Sequence, residues 1–400
     1  MTDCASIDEL LNDQTYHIEF NGHLTNHAKH AVIALAGLEA SPARIRAYYD
    51  NYARLTPYGY GLEAPSASGH AISQADWQQF LGKRTSFTAY CELFDGQERE
   101  LGLDELLRRY VPALLDGWVG AFTHATIHLG WALDADNRWM AIEGLAYMAF
   151  SYVSCHPERA SAVAGDRFGG EDAVDSLLRI AGAWEEDRDA LRHWVQALIA
   201  DTASGTAAGI HPELARSGLQ YRIARVLEQG HPLIYELAPW IDDQDASTSW
   251  EQLSYVVTLL YLARPGDFVL LHLITSLHAM EQIADRLPDS QRRGIVKRFW
   301  IGMLCIVFSE AEFPSRTRLE ALHATYESAV DAGGQAAVQQ DWEQIVARAI
   351  EEEEEHNPKM VYVLRRWWKR TGGRSIYRAA AADFTTTPQL PASFDEPPAE

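Results

Sequence analysis

The spacing of apolar residues along the chain is helical almost from end to end. Positions i, i+3, i+4 and i+7 recur in most segments, whereas sustained β-branched alternation and Asn-Gly hairpin signals are absent. The pattern predicts helices over residues 24–38, 43–55, 102–115, 117–133, 138–155, 172–182, 185–201, 212–228, 248–263, 267–284, 291–311, 316–330 and 339–355. We therefore expect an all-α protein.

Local start and stop signals agree with this pattern. Ser41-Pro42 predicts a capped helix start, and Pro265-Gly266-Asp267 predicts the end of one helix and the start of the next. No repeat of fixed period stands out, and the clear linker-like segment is the polar, Pro-rich end of the chain. We expect one multi-helix domain over residues 1–383 and a disordered, acidic tail over residues 384–400.

Composition narrows the class of protein. The net charge of −22 disfavours nucleic acid and anionic membranes as partners, and the 47% of hydrophobic residues can build a large core. The N-terminus lacks a basic region followed by an apolar stretch, and no run of about 18 uncharged apolar residues is present. Four scattered cysteines without CxxC pairing are typical of a reducing compartment. These features predict a cytoplasmic protein.

Histidines stand where core residues would be expected in four apolar segments. A buried imidazole needs partners for its donor and its acceptor, and imidazole is also the commonest neutral metal ligand. The seven histidines are His27, His30, His124, His128, His272, His278 and His356. A shared metal ion in the helical core is the simplest explanation for the whole set, and unrelated core histidines are the alternative.

Spacing alone leaves open which member of each pair coordinates. His124 and His128, at i and i+4, project from one helix face and could approach one ion. His272 and His278 lie about 120° apart around a helix, so at most one of them should coordinate. The i, i+3 pair near residue 27 fits helix capping and packing as well as metal binding.

The segment after the run Glu351–Glu355 contains a candidate nucleophile. We interpret the five glutamates as a solvated helix face. Pro358 should end or kink that helix, which leaves His356 at a break and Lys359 at the next helix start. If Lys359 is buried, its pKa falls, and the neutral amine can add carbon dioxide to form a carbamate.

Aromatic side chains crowd the HxxxH segment, and motifs for other chemistry are missing. Trp118, Phe122 and Trp131 flank the motif; most should be core, but a planar apolar substrate would need such walls. There is no GxGxxG after a strand, no Walker loop, no GxSxG and no HExxH. A nucleotide-binding domain is therefore not indicated.

Four blocks of this sequence resemble the questin oxidase-like family. They are Leu24–Leu35 with Tyr52–Leu55, Phe122–Ala132 with Glu143–Tyr147, Leu271–Met280, and Glu355–Lys359. The blocks follow the order and spacing of the family from about residue 20 to 365. The resemblance implies an oxygenase that cleaves or oxygenates a ring of a planar aromatic polyketide such as an anthraquinone, with dioxygen as co-substrate.

The resemblance also implies a set of site residues. Iron, as Fe(II), would be held by His27, His124, His272, His356 and a carboxylated Lys359. His278 would act on the substrate, for example by deprotonating a phenol, and His128 would line the pocket. NADPH use, described for Baeyer–Villiger-type members, is a further expectation. The alternatives are an NADPH-assisted, metal-free oxygenase and a non-catalytic helical protein that binds a small molecule.

Overall fold

The computed structural model describes residues 4–162, 172–207, 210, 214, 217–243, 246–331 and 336–388. Within these ranges the backbone is mostly helical, which confirms the predicted all-α class. The α-helices are α1 (Cys4–Leu11), α2 (Ala28–Gly37), α3 (Pro42–Arg54), α4 (Phe87–Leu101), α5 (Leu103–Leu114), α6 (His124–Asp134), α7 (Arg138–Phe150), α8 (Ala173–Glu186), α9 (Arg188–Ala200), α10 (Thr202–Ala207), α11 (Leu219–Gln229), α12 (Pro232–Tyr235), α13 (Trp240–Asp243), α14 (Ala246–Ala263), α15 (Phe268–Asp285), α16 (Asp289–Ser309), α17 (Arg316–Tyr326), α18 (Ala336–Glu351), α19 (His356–Arg370) and α20 (Ser375–Ala382).

Short 3₁₀ turns and four two-residue strands complete the described chain. The 3₁₀ turns are Trp77–Phe80, Leu115–Gly117 and Pro157–Arg159. The strands are β1 (Glu19–Phe20), β2 (Leu24–Thr25), β3 (Ser161–Ala162) and β4 (Glu236–Leu237). β1 and β2 pair antiparallel, with Glu19 opposite Thr25, and β3 and β4 pair parallel. The first of these pairs leads the chain into α2.

The predicted helix boundaries are confirmed where local signals were strong. Ser41 caps α3, since its side chain accepts from the Arg44 N–H at 3.2 Å, and Pro42 is the first helical residue. The Asp267 side chain accepts from the first-turn N–H groups of α15 at 2.8 and 2.9 Å. Both caps rest on residues adjacent in sequence, which is why the sequence predicts them.

Helix α4 was not predicted, and α19 was predicted to start later, at Lys359, than it does. In α4, the buried residues Phe87, Tyr90, Cys91 and Phe94 follow the i, i+3, i+4, i+7 spacing of an amphipathic helix. In α19, Pro358 was expected to break or kink the chain, but it is the third residue of the helix. A proline is tolerated in the first turn because its missing N–H would have no intrahelical partner there.

The centre of the protein is α6, which packs between α7 and α15. Two glycines allow this close approach. A Cβ at Gly130 would lie 2.4 Å from the backbone of Ala279, and a Cβ at Gly144 would lie 2.5 Å from the Cα of Leu129. The buried residues form one hydrophobic core. Because α6 and α15 touch along small residues, the side chains at their ends are brought to a common point.

The last described residues pack on the helical body. Thr385 is buried, and its N–H donates to the Asn357 side chain at 2.9 Å, while its hydroxyl donates to the Gly266 carbonyl. Residues 389–400 of the predicted disordered tail lie outside the described residues, so the tail and the domain limits stay predictions. None of the described helices combines the length and the apolarity that a membrane crossing needs.

Candidate metal centre

Five of the predicted site residues converge at one point in the helical core. We call His27, His124, His272, His356 and Lys359 the histidine cluster. Ring centroids lie 4.6 Å apart for His27–His124 and 4.7 Å apart for His27–His356, His124–His272 and His272–His356. All five side chains are buried. The residues come from the starts of four helices, namely α2, α6, α15 and α19.

The entry to α2 holds His27 in place. His27 is the residue before the first helical position, and the Asn26 side chain accepts from the Ala28 N–H at 3.0 Å. The N–H of His27 donates to the hydroxyl of Tyr52 at 3.3 Å, so both sides of this turn are fixed. The Asn26 side chain thus stabilises the turn before α2 and orients the histidine that follows.

A strained turn directly precedes His124 and positions its side chain. Ala121, Phe122 and Thr123 have φ angles of 49°, 52° and 67°, a left-handed run without glycine. Each such residue costs about 1–3 kcal/mol, and conformations of this kind persist where the surrounding packing enforces them, commonly at functional sites. The run turns the carbonyl of Ala121 towards the His124 ring and places Phe122 beside the cluster.

The hydrogen bonds of His124 and His272 define which ring nitrogen carries the proton. Nδ1 of His124 donates to the Ala121 carbonyl at 2.6 Å, and Nδ1 of His272 donates to the Phe268 carbonyl at 2.7 Å, since a carbonyl can only accept. In the neutral rings, both Nε2 atoms therefore carry lone pairs. These two atoms face each other at 3.0 Å, which is repulsive unless a cation or a proton lies between them.

His356 shows the same arrangement. Its Nδ1 lies 2.6 Å from Oε1 of Glu354, which accepts, and its buried Nε2 has no hydrogen-bond partner among the described residues. Nitrogens of His27, His124 and His356 lie within 4.8 Å of one another, so these three residues could hold one metal ion. An outer carboxylate or carbonyl on the far nitrogen is the usual environment of a metal-binding imidazole, because it fixes the tautomer and the ring orientation.

Lys359 faces His27. Its Nζ lies 2.6 Å from Nδ1 of His27, and its side chain is fully buried. Burial lowers the pKa of Lys359 to about 8, although Glu355 and Glu354 oppose this shift. The neutral amine is therefore accessible near physiological pH, as the sequence analysis required for carbamate formation.

The four imidazoles are neutral in this environment. Burial is the main cause that holds the pKa of each cluster histidine well below its ordinary value, and neighbouring cationic groups add to the effect. Neutral imidazole is the form that binds a metal. The neutral rings of the cluster therefore have nitrogen lone pairs that could bind a cation.

The interpretation of Glu351–Glu355 as a solvated face is wrong for its last two members. Helix α18 ends at Glu351, and the chain then turns inward, so that Glu354 and Glu355 are buried. Glu354 accepts from the N–H groups of His356 and Asn357 at 2.8 and 3.1 Å, which caps α19. The break predicted at Pro358 lies instead before His356, and Lys359 does stand in the first turns of the next helix.

Glu355 is a site residue that the sequence analysis missed. Neither of its carboxylate oxygens has a hydrogen-bond partner among the described residues, and burial, with Glu354 nearby, raises its pKa to about 8. Glu354, Glu355 and His356 also place potential ligand atoms within 4.8 Å of one another. The burial of Glu355 could not be predicted from the run of glutamates, because the sequence pattern does not show where the helix ends.

His30 and His128 lie next to the cluster but bind each other. Nε2 of His30 and Nδ1 of His128 are 2.9 Å apart, and Nε2 of His128 lies 3.3 Å from Glu143. Glu143 also receives a 2.6 Å ion pair from Lys29 and a hydrogen bond from Trp139. Both nitrogens of His128 are occupied by protein partners, so the HxxxH pair does not converge on one ion. The pocket role predicted for His128 stays a prediction.

His278 lies apart from the cluster. Its Nε2 is 3.2 Å from the Asp134 carboxylate, which also accepts from the Tyr362 hydroxyl at 2.6 Å and pairs with Arg366. His272 and His278 therefore face different parts of the core, as their spacing predicted. The action of His278 on a substrate stays a prediction, and the hydrogen-bond partner described for its ring is the Asp134 carboxylate.

A cavity of about 660 Å³ opens beside His27 and His124. Phe122 and Phe268 flank it, with ring centroids 4.4 and 4.8 Å from the His272 ring. The described lining residues are His23, Leu24, Thr25, His27, Tyr58, Phe122, His124, Ile199, Thr202, Ser217, Gly218, Leu219, Gln220, Tyr221, Arg222, Phe268, Val269 and Pro388. Its volume falls within the range of small-molecule sites.

The cavity wall is largely neutral and partly aromatic. Arg222 is the one Lys, Arg, Asp or Glu side chain among the described lining residues, and it pairs with Glu310 at 2.9 Å. Of the aromatic residues around the HxxxH motif, Phe122 lines the cavity, whereas Trp118 and Trp131 are fully buried core. Phe268 was missed as a wall residue, although it directly follows the predicted cap of α15.

Helical body, buried imidazoles and adjoining cavity together define a class: an all-α protein with a histidine-rich candidate metal centre in its core. The chain belongs to the questin oxidase-like family, whose model matches residues 24–364. Among curated proteins no match is found. The four sequence blocks thus belong to one family domain, and the histidine cluster lies inside the matched range.

Proposed function

We propose that this protein is a non-heme iron-dependent oxygenase that oxygenates or cleaves a ring of a planar aromatic substrate. The observation that carries the proposal is the 3.0 Å contact between the Nε2 atoms of His124 and His272. Two nitrogens that each lie about 2.1 Å from one ion, at right angles, are about 3.0 Å apart. Family membership supports the oxygenase assignment.

The residues present fit a metal ion. His27, His124, His272 and His356 would supply neutral nitrogens, and Lys359, as a carbamate formed with carbon dioxide, would supply one anionic oxygen ligand. Imidazole suits iron, zinc, copper and nickel alike, so the family resemblance is what selects iron. Bound Fe(II) would activate dioxygen for insertion into the aromatic ring.

The protein's own residues would prepare and protect this centre. The carbonyls of Ala121 and Phe268 and the Glu354 carboxylate hold three imidazoles with Nε2 towards the centre. The rings of Phe122 and Phe268 cover His272 on the cavity side and keep water from it. A planar ligand would lie against these two rings.

Iron content tests the proposal. Protein purified without chelators should contain about one iron per chain by inductively coupled plasma mass spectrometry, and His124→Ala should lose it while keeping its helical circular dichroism. Lys359→Ala should mainly lose bound metal, with a smaller effect on the free energy of unfolding. Thr325→Val, which replaces an exposed threonine of α17 outside the cavity lining, serves as a control that should retain iron.

Two outcomes would count against the proposal. A wild-type protein that takes up no metal under anaerobic reconstitution with Fe(II) would favour an NADPH-assisted, metal-free oxygenase or a binding protein. Unchanged iron content in Lys359→Ala would contradict the carbamate ligand, whereas the proposed histidine ligands would stand.

A further inference from the structure

The end of the described chain packs across the starts of two helices that carry cluster residues. We call residues 383–388 the C-terminal strap. The Asp383 carbonyl accepts from the hydroxyl of Tyr261, a buried residue of α14. The Phe384 ring lies against the Arg348 guanidinium of α18, with 3.8 Å between Cζ and the ring centroid. Two helices of the body therefore hold the beginning of the strap.

Thr385 bonds the strap to the start of α19. Its N–H donates to Oδ1 of Asn357 at 2.9 Å, and its carbonyl accepts from Nδ2 of the same side chain at 3.1 Å. Asn357 is fully buried and lies directly after His356 and two residues before Lys359. Because the two bonds run in opposite directions, they fix the orientation of the Asn357 amide. The strap is thus bonded to the helical turn that carries two cluster residues.

The same threonine also reaches the start of α15. Oγ1 of Thr385 donates to the Gly266 carbonyl at 2.7 Å, and Gly266 directly precedes Asp267, whose side chain caps α15. The carbonyl of Phe268, the first residue of this helix, accepts from Nδ1 of His272. Thr385 is only 5% exposed, so water cannot readily replace its bonds to the two helix starts.

The strap ends at the cavity. Pro388 lines the cavity together with Phe268 and Val269 of α15. The family match ends at residue 364, so the strap follows the matched range and the match assigns it no role. The strap therefore contacts both the helix starts that carry cluster residues and the space where a ligand would bind.

We infer that Thr385 is a positioning residue: by bonding the start of α19 to the start of α15, it holds His272, His356 and Lys359 where they can contact one ion. The inference rests on the proposed function for the presence of that ion. Three helices, α16, α17 and α18, separate α15 from α19 along the chain, so the relative position of their starts depends on tertiary bonds. Coupling is reciprocal, so a bound ion should in turn stabilise the docked strap.

Metal affinity of full-length variants tests the inference, with Co(II) as the probe in competition with a chelator. Thr385→Val removes the bond to Gly266 and should weaken Co(II) binding about three- to tenfold. Thr385→Pro also removes the N–H that donates to Asn357 and should weaken binding about ten- to hundredfold. Thr385→Ser keeps both donors and should bind as the wild type does. Thr386→Val, at the exposed neighbouring position, is the matched control and should change nothing.

Protection of the strap by metal is a readout that a purely structural role would not move. Saturating Co(II) should slow hydrogen–deuterium exchange of the Thr385 N–H in the wild type at least about threefold, because the coupling acts in both directions. Exchange that Co(II) does not change would overturn the inference. Equal Co(II) affinity in Thr385→Val and the wild type would overturn it as well.

A wild-type protein that binds neither Co(II) nor Fe(II) would contradict the proposed function, and metal-free protein then decides the inference. The N–H groups of His356 and Asn357, which donate to Glu354, should exchange faster in Thr385→Val than in Thr386→Val. Equal exchange in the two variants would overturn the positioning role. Thermal melts show which variants fold, and Thr385→Val, which loses a single bond, decides if Thr385→Pro does not fold.

Discussion

The same three helices carry two kinds of histidine. At the starts of α2, α6 and α15 stand the inner histidines, and further along stand the outer ones. The inner set is His27, His124 and His272, and the outer set is His30, His128 and His278. Inner and outer rings are equally buried, so burial by itself does not distinguish them. Their hydrogen-bond partners do.

Two of the outer rings contact a protein carboxylate and the third, His30, contacts His128, whereas the facing nitrogens of His124 and His272 contact only each other. Nε2 of His128 contacts Glu143, and Nε2 of His278 contacts Asp134. In His124 and His272, backbone carbonyls occupy Nδ1, and the two Nε2 atoms are left facing each other. His128 has both nitrogens paired with protein groups, whereas the facing lone pairs of His124 and His272 need a cation or a proton between them. The difference separates candidate ligands from structural residues on one helix.

The largest expected effect comes from replacing an inner and an outer histidine of α15 with alanine in two separate variants. His272→Ala should leave the protein without retained iron after desalting, because one of the two facing nitrogens is lost. His278→Ala should retain iron and lose about 1–3 kcal/mol of unfolding free energy, since buried Asp134 then loses one of its three partners and keeps Tyr362 and Arg366. Metal analysis and chemical denaturation measure both. Equal iron loss in the two variants would erase the distinction.

The second-largest effect should come from removing Glu143, the carboxylate that contacts His128. Glu143→Ala should lower the free energy of unfolding by about 3–5 kcal/mol, because it leaves the buried Lys29 ammonium unpaired. Iron bound per folded chain should not change. Glu98→Ala, which removes a carboxylate that pairs at the surface with Arg138, is the matched control and should cost less than about 1 kcal/mol. A metal loss in Glu143→Ala would show that the two regions are coupled.

A smaller effect is expected from pH. Because the pKa of Lys359 is lowered to about 8, the side chain is an ammonium below that pH, and at a fixed concentration of bicarbonate it releases one proton and one water when it becomes the carbamate ligand. Apparent metal affinity should therefore fall about tenfold per pH unit below about 8 and level off above it. The imidazoles add no slope between pH 7 and 8, since their pKa values lie well below the ordinary value.

Lys359→Met isolates this dependence. The variant should bind metal more weakly than the wild type, with an affinity that is flat between pH 7 and 8. Competition with a chelator of known pH dependence provides the measurement. The same slope in wild type and variant would assign the proton to another group, with Glu355 as the first candidate because its pKa is raised to about 8.

Sequence patterns predicted more of the ligand set than of its surroundings. His124 and His272 were assigned by family resemblance, and the structure places both in the cluster. The glutamates after α18 were misread, because a charged run is normally solvated and the end of the helix at Glu351 was not apparent.

Local sequence signals were enough to predict the helical class, the capped starts at Ser41 and Asp267, and the four segments that carry histidines. Periodicity and capping depend on residues a few positions apart, so they can be read locally. Which nitrogens of His124 and His272 face each other was not predictable locally. It depends on partners distant in the chain, because His272 lies 148 residues from His124.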